Sequence, residues 1–258
     1  MIKEIRWNGK TQLEAVELLS SPGHVIVSPT KVGYIIMATD ILGLERKFQA
    51  KNRNLNKPGV ILCSSMEQLL ELAEMNEEIE AFYQKHWDND ILLGCILPWK
   101  KTAEKYIPND GTRNMIMDKR QTSCFVIKFG VPSENTVQSL WDNHKKLAFA
   151  SSANPSGKGN RGKISGIGEQ IEKEVDLIIE ADDYVSSIQP DKNEQNRYEQ
   201  GVMISMVDAD GKLIPLQNHS RDVYPVPILI RKGLNVDKIT MNLVDSFASW
   251  DYRHGQYY

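Results

Sequence analysis

Short runs of β-branched and large apolar residues alternate with amphipathic segments along the whole chain of 258 residues. Residues 24–27, 60–63 and 123–129 favour buried strands, whereas residues 10–19 and 133–144 carry apolar positions at helical spacing. Helices that alternate with strands in this way cover the faces of a sheet. Because no fixed repeat and no long linker interrupts the alternation, the sequence predicts one α/β domain with a mixed sheet.

Polar residues that suit caps and turns mark further boundaries. Asp40 and Ser65 are predicted N-caps, because their side chains can accept from backbone N–H groups of a first helical turn. Residues 202–207 and 212–216 predict the two strands of a hairpin joined by a short turn. The almost wholly polar residues 187–200 predict a mobile loop.

The C-terminal residues differ from the rest in composition. We expect the α/β domain to span residues 1–235 and residues 236–258 to form a separate tail. Aromatic side chains of the tail can dock on the domain or on a partner. They are Phe247, Trp250, Tyr252, Tyr257 and Tyr258.

The charge balance is slightly acidic. Thirty-one Lys and Arg residues stand against 34 Asp and Glu residues, a formal net charge of −3. Proteins that depend on bulk attraction to nucleic acid or anionic lipid are normally basic, so the composition excludes that class but leaves a local basic patch open. The 41% hydrophobic and 25% charged content is typical of a globular chain and excludes disorder.

The sequence predicts a cytoplasmic protein with no membrane partner. No apolar run approaches the roughly 20 residues of a membrane helix, and residues 1–7 lack the apolar core of a signal peptide. Cys63, Cys95 and Cys124 are odd in number and far apart, which excludes a disulfide framework and disfavours a cysteine zinc site. We therefore expect a reducing compartment.

Several familiar catalytic signatures fail. Gly157-Lys158 resembles the end of a phosphate-binding P-loop, but Gly159 follows it and Ser152 stands where the leading glycine belongs. No G-x-S-x-G element indicates a serine hydrolase. The five histidines form no H-x-x-x-H pair, so surface or core positions explain them better than metal ligation does.

Two basic and polar clusters suit phosphate chemistry. Lys51-Asn52-Arg53 follows a predicted helix, and residues 151–157 (SSANPSG) follow a predicted buried strand. Lysine supplies a mobile point charge and arginine a fork that grips phosphate with two hydrogen bonds, while Ser and Asn add neutral donors. Composition alone favours a solvated loop for each cluster. Their positions at strand and helix ends, where α/β sheets usually bind ligands, favour a site.

In their order along the chain, these fragments resemble the motifs of the Sua5/YrdC/TsaC family of threonylcarbamoyl-AMP synthases. Residues 29–35 (PTKVGYI) are similar to the family's P-T-E-T-V-Y-G, and Lys51-Asn52-Arg53 to its K-x-R-P. The S-A-N-x-S-G motif is intact at residues 152–157. Weaker matches are residues 97–102 to W-P-G-P-x-T, 126–132 to V-R-x-P, 201–208 (GVMISMVD) to G-V-E-S-T-V-V-D and 228–233 (ILIRKG) to I-L-R-P-G.

The resemblance spans about residues 10–235 and implies a YrdC-like fold, a twisted mixed β-sheet flanked by helices with a basic concave cavity. It also implies the family's reaction, in which L-threonine, bicarbonate and ATP give threonylcarbamoyl-AMP and pyrophosphate in the presence of Mg²⁺. A tRNA-modifying partner enzyme then transfers the threonylcarbamoyl group to adenosine 37 of tRNA.

The resemblance also assigns roles to residues. Lys51 and Arg53 match the family's catalytic, phosphate-binding pair, and Asn154 matches a residue at its nucleotide and Mg²⁺ site. The implied ATP-binding residues are Lys51, Arg53, Ser152, Asn154, Lys128 and Arg231. The implied residues for the amino-acid substrate are Thr30, Lys31, Tyr34 and Ser205.

Four positions depart from the family's motifs. Lys31, Val32 and Ile35 stand where the first motif has Glu, Thr and Gly, and Met203 replaces the Glu of the late motif. A base in place of an acid reverses the charge near the implied amino-acid pocket, and such a change rarely leaves specificity intact. The alternatives are a diverged member that adenylates the carbamate of another amine, an RNA-binding protein, and a non-catalytic partner of another enzyme.

Overall fold

The computed structural model describes residues 3–51, 59–155 and 158–255. Within these ranges eleven strands form one sheet. The strands are β1 Lys3–Arg6, β2 Ile26–Thr30, β3 Gly33–Ala38, β4 Val60–Leu62, β5 Leu93–Pro98, β6 Thr122–Ile127, β7 Ala148–Ser152, β8 Leu177–Glu180, β9 Val202–Ser205, β10 Ile228–Arg231 and β11 Asp251–Tyr252.

Helices connect most of the strands. Both predicted N-caps are confirmed: Asp40 Oδ1 accepts from Gly43 N at 2.9 Å, and Ser65 Oγ accepts from Gln68 N at 3.0 Å. None of the described helices is long and apolar enough to cross a bilayer. The helices are α1 Leu13–Ser20, α2 Ile41–Ala50, α3 Met66–Leu72, α4 Glu77–Asp88, α5 Arg113–Ile116, α6 Val131–His144, α7 Glu169–Glu174, α8 Asp182–Ser187 and α9 Val236–Ser246, with 3-10 turns at Lys101–Tyr106 and Ile164–Gly166.

The sheet is mixed, as the sequence predicted. Its strand order is β1-β8-β2-β3-β7-β4-β6-β5-β9-β10-β11. Strands β1 and β2 both pair parallel with β8, and β4 pairs parallel with β6, whereas β3 pairs antiparallel with both β2 and β7. Helices flank this sheet, so the predicted fold class is confirmed.

The sheet curls so strongly that strands distant in its order meet. Strands β2 and β6 are four strand spacings apart, which would separate them by about 19 Å in a flat sheet. Yet the N–H of Lys31, which follows β2, donates to the carbonyl of Phe129, which follows β6, at 2.8 Å. Phe129 shares an apolar cluster with Ile35 of β3, so this contact lies on the face to which Ile35 points. We call this the concave face and the opposite one the convex face.

The concave face collects polar and charged side chains from several strands. Residues directly opposite each other on paired strands point to the same face. Ile35 is opposite Ser152, and Met203 is opposite both Gly94 and Arg231. Val126, also opposite Gly94, packs against the apolar clusters that contain Phe129 and Met203. Strand pairing therefore puts Ser152 and Arg231 on the concave face.

The core extends over both faces and includes the C-terminal residues. On the convex face, helices α2, α3 and α4 pack against the strands through Leu44, Leu69 and Phe82. One end of the concave face is covered by α1 and α6. Helix α9 lies against α4, and its Leu243 and the following Phe247 are buried in the larger core. Residues 236–255 thus pack on the domain.

The predicted hairpin is confirmed in its first strand and its turn, but its second strand is wrong. The chain reverses at residues 208–211, Val207 and Leu213 form an isolated antiparallel bridge, and Ile214 N donates to the Met206 carbonyl at 3.0 Å. The described residues 212–216 nevertheless form no regular strand. Strand β9 already pairs with β5 on one side and β10 on the other. The returning residues 213 and 214 therefore pair only with Met206 and Val207, beyond the end of β9.

Candidate functional site

Lys51 and Ser152 meet at one end of the sheet. Lys51 follows α2 at its C-cap, and Ser152 ends β7. The Lys51 ammonium donates to the Ser152 carbonyl, and its Nζ lies 3.3 Å from Ser152 Oγ. Only 5% of Lys51 is exposed, so its charge is held at the serine. The fold therefore brings together two predicted ATP-site residues that are 101 positions apart.

Asn154 shapes the turn after β7. Its side chain is buried, and Nδ2 donates to the carbonyl of Pro155 at 2.9 Å and to that of Lys158. Because the amide nitrogen is committed to these two carbonyls, the amide oxygen Oδ1 is the atom available to a ligand.

Asn160 ties the same turn to β3, although it was not among the predicted site residues. Its Nδ2 donates to the carbonyls of Tyr34 at 3.0 Å and Ala153 at 3.1 Å. A Cβ at Gly33 would come within 2.2 Å of Asn160 Oδ1, and Gly33 has a φ of 130°. The glycine of the PTKVGYI segment was therefore the available signal for this close approach.

Thr30 and Tyr34 lie on either side of the β2–β3 turn. Thr30 Oγ1 donates to the carbonyl of Gly33 at 2.8 Å and closes the turn. Tyr34 belongs to the core on the convex face, where its hydroxyl donates to Asp182 Oδ1 at 2.6 Å and accepts from Ala181 N at 2.9 Å. Burial, reinforced by Asp182, raises the pKa of Tyr34 well above its ordinary value. The tyrosine hydroxyl is thus used within the fold.

Lys31 and Lys128 converge on Asp90, and we call these two residues the lysine pair. Lys31 Nζ lies 2.7 Å from Asp90 Oδ1 and donates to the Asp90 carbonyl at 2.6 Å. Lys128 Nζ lies 3.8 Å from the same carboxylate oxygen and 4.0 Å from the ring centre of Trp87. Two lysines that the sequence assigned to different ligands therefore share one carboxylate.

Ser205 and Arg231 lie on the neighbouring strands β9 and β10. Ser205 Oγ donates to the carbonyl of Val207 at 3.3 Å, and Arg231 Nε donates to the carbonyl of Gly201 at 3.0 Å. Burial raises the pKa of the Cys124 thiol to about 12, while the Arg231 charge acts in the opposite direction. Arg231 thus places a positive charge near the middle strands of the concave face.

A second buried lysine, Lys47, lies one helical turn before Lys51. Its side chain is 2% exposed, and a Cβ at Gly59 would lie 2.8 Å from its Nζ. A lysine between the core residues Leu44 and Phe48 gives no sequence signal of a site, so Lys47 was not predicted. Arg53, the predicted partner of Lys51, lies outside the described residues.

The donors at this end of the sheet suit phosphate better than a metal held by protein alone. In the described part of the chain, no three His, Cys, Asp or Glu side chains are grouped so that they could hold a metal ion. Magnesium usually keeps water ligands and takes phosphate oxygens together with one or two protein oxygens. Asn154 Oδ1 is an oxygen of that kind, and Lys51 and Ser152 supply donors for phosphate.

Fold and site together define a class of protein that has a curled mixed sheet and a buried lysine–serine contact. Here the contact joins Lys51 to Ser152, beside the turn after β7. The model of the Sua5/YciO/YrdC family, described as telomere recombination, matches residues 19–192. The chain therefore belongs to the Sua5/YciO/YrdC family. A search of the curated proteins gave no significant match.

Three solved structures illustrate the likeness. The hypothetical protein smu.1377c from Streptococcus mutans UA159 is 59% identical, with a TM-score of 0.94 over 100% of both chains. P. abyssi Sua5, solved in complex with L-threonine, is 21% identical with a TM-score of 0.62, over 98% of this chain and 62% of its own. E. coli YciO is 17% identical with a TM-score of 0.61, over 91% of this chain and 96% of its own. The last two likenesses concern the fold.

Proposed function

We propose that this protein is an ATP-dependent nucleotidyltransferase that makes a carbamoyl-adenylate, with L-threonylcarbamoyl-AMP as the first candidate product. The contact of Lys51 with Ser152, in a chain of the Sua5/YciO/YrdC family, carries the proposal. It sets an ammonium and a hydroxyl side by side, next to the turn shaped by Asn154. Adenylate formation needs fixed donors of this kind, because negative charge gathers on phosphoryl oxygens.

In the proposed reaction, the amine of L-threonine condenses with bicarbonate to a carbamate, with loss of water. A carbamate oxygen attacks the α-phosphorus of ATP, and the bond from that phosphorus to the bridging oxygen breaks. Pyrophosphate leaves with the electron pair. Lys51 stabilises the charge on the phosphoryl oxygens and Ser152 donates to them, with Arg53 as a second cation. A tRNA-modifying partner enzyme then uses the adenylate.

The remaining predicted residues take supporting roles in this proposal. Arg231 adds positive charge on the concave face for the nucleotide. The hydroxyl oxygens of Ser205 and Thr30, whose protons are donated within the fold, act as acceptors for the amino acid. Asn154 Oδ1 would hold Mg²⁺ together with phosphate oxygens, and the bound ion supplies further neutralisation of phosphate charge. Tyr34 supports the β2–β3 turn from the convex face.

Pyrophosphate release tests the proposal. Purified protein is supplied with ATP, Mg²⁺ and bicarbonate, and each of the twenty amino acids is added in a separate reaction. We expect pyrophosphate release with at least one amino acid, and mass spectrometry should detect the corresponding carbamoyl-adenylate. Lys51→Met should lower the rate by about 10²–10³. The matched control Lys101→Met, at an exposed lysine of a 3-10 turn, should leave it unchanged. No release with any amino acid, together with no ATP binding by calorimetry, would reject the proposal.

A further inference from the structure

The lysine pair lies where the curl of the sheet closes. Lys31 follows β2 and Lys128 follows β6, so the contact of Lys31 N with the Phe129 carbonyl also brings the two ammonium groups together. Both ammonium groups approach the same oxygen, Asp90 Oδ1, at 2.7 and 3.8 Å. One carboxylate oxygen in this position therefore satisfies two cations.

The cluster is unequally exposed. The side chains of Lys31 and Lys128 are 5% and 18% exposed, whereas that of Asp90 is 68% exposed. A sheltered ammonium must keep an anionic or polar partner, since an unpaired buried charge is costly. An exposed carboxylate, in contrast, loses little free energy when its side chain rotates away from the lysines into the solvent. Asp90 is therefore the member of the cluster that a ligand carboxylate can replace.

Two further side chains border the lysine pair. The Trp87 ring lies under Lys128 Nζ at 4.0 Å and holds it by a cation–π contact. Glu134 Oε1 accepts from the backbone N–H of Gly130 at 2.7 Å, so this acid is committed to the start of α6. Burial raises the pKa of Glu134, with the two lysines acting in the opposite direction. Trp87 thus holds Lys128, Glu134 is bonded to the backbone, and Asp90 is the exposed carboxylate that contacts both lysines.

The turn that begins at Lys31 lies beside the proposed reaction centre. Ser152 is directly opposite Ile35, and Gly33 lies two residues before Ile35 on the same strand. One strand spacing and two residues of β-strand, taken at right angles, put the Gly33 and Ser152 Cα atoms about 8 Å apart. Gly33 closes the turn that contains Lys31, so this turn and the contact of Lys51 with Ser152 border the same region of the sheet.

We propose that Lys31 and Lys128 form a carboxylate subsite, in which the side-chain carboxylate of an acidic amino acid replaces Asp90. This inference rests on the carbamoyl-adenylate chemistry of the proposed function and replaces threonine, its first candidate, with an acidic amino acid as the amine substrate. Lys31 stands where the motif of the resembling family has Glu, so the charge presented to the substrate is reversed. A site lined by two cations selects a substrate with an additional negative charge over its neutral counterpart.

Calorimetric titration with amino acids tests the subsite. L-glutamate and L-aspartate are titrated into protein loaded with a non-hydrolysable ATP analogue, and L-glutamine, L-asparagine and L-threonine serve as neutral comparisons. We expect one acidic amino acid to bind at least about tenfold more tightly than its amide, the effect of a charge-assisted hydrogen bond. Asp90→Asn should tighten that binding severalfold, because a competing carboxylate is removed. Lys31→Met should abolish the preference, and Lys31→Arg should retain much of it.

The variants separate this inference from the proposed function. Thermal unfolding verifies that each variant folds, and binding of the ATP analogue is measured on each. If Lys31→Met weakens binding of the ATP analogue and leaves the affinities for the amino acids unchanged, the lysine pair binds the triphosphate and the inference is overturned. The inference is also overturned if L-threonine, L-glutamine or L-asparagine binds as tightly as L-glutamate and L-aspartate. If wild-type protein binds no nucleotide, the proposed function fails, and titration of the amino acids without nucleotide decides on the subsite by the same criterion.

Discussion

His86 Nε2 accepts a hydrogen bond from Asn242 Nδ2 at 3.1 Å, which ties α4 to α9. The direction follows from the other ring nitrogen. His86 Nδ1 lies 2.7 Å from the carbonyl oxygen of Phe82, which can only accept, so Nδ1 carries the proton and Nε2 is the acceptor. Burial lowers the pKa of His86 to about 4. The joint between the C-terminal helix and the rest of the domain is therefore built around a neutral imidazole.

Acid should weaken this joint. In the unfolded chain His86 takes up a proton below its ordinary pKa of 6.5, whereas in the folded chain it does so only at about pH 4. The free energy of unfolding therefore decreases as the pH falls from 6.5 toward 4. His86→Gln removes the proton uptake. Between pH 7.5 and pH 5, urea unfolding should show a loss in wild type that exceeds the loss in the variant by about 2 kcal/mol. Equal losses would contradict the assignment.

Asp40→Ala should destabilise the start of α2. The carboxylate accepts from Gly43 N in the first turn and from Gly23 N at 2.9 Å, and it is nearly buried. Removal of this cap is expected to lower the free energy of unfolding by about 1–2 kcal/mol, as measured in urea. Asp222→Ala, at an exposed aspartate, is the control and should change it little. An equal effect of both substitutions would argue against the cap.

Tyr34→Phe should lower stability and leave substrate affinity alone. The substitution removes the hydroxyl that links Asp182 and Ala181 N, so two buried partners lose a hydrogen bond. We expect a loss of about 1–3 kcal/mol in the free energy of unfolding. Tyr224→Phe, at a tyrosine that is 70% exposed, provides the comparison. A rise in KM for the amino acid without a change in stability would instead place the hydroxyl at the substrate.

Glu199 should hold the segment 188–200 against the loop after β7. Its carboxylate accepts from Arg161 N, and a Cβ at Gly159 would come within 1.8 Å of Glu199 Oε2. Gly159→Ala and Glu199→Ala are therefore both expected to release the segment and to speed limited proteolysis within it severalfold. Glu194→Ala, at an exposed position of the same segment, should not. Unchanged cleavage in both variants would show that other contacts hold the segment.

Local features of the fold were predictable because they depend on neighbouring residues. The N-caps Asp40 and Ser65 satisfy backbone donors three positions away, and both were predicted correctly. The hairpin predicted over residues 202–216 shows the limit of this reasoning, because its turn forms but its second strand does not. Its alternating pattern was suitable, but the edges of β9 are occupied by β5 and by β10. No local pattern contains that information.

The site was predictable in its composition but not in its grouping. The intact S-A-N turn and Lys51 could be recognised in the chain, and the fold joins Lys51 to Ser152. The partnership of Lys128 with Lys31 at Asp90 was not predictable, because it depends on the meeting of strands four spacings apart. Asn160 was signalled only indirectly, by the glycine at position 33 that it approaches, and Lys47 by no pattern, since both side chains meet residues distant in the chain.

The sequence by itself determined the α/β class, the caps and the order of the motifs, because periodicity and turn chemistry act over a few residues. Only the tertiary structure decided which side chains share the concave face, that Tyr34 points away from it, and that a single carboxylate joins two lysines. Those outcomes depend on strand order and on the curl of the sheet. Both are set by packing between residues that are distant in the chain.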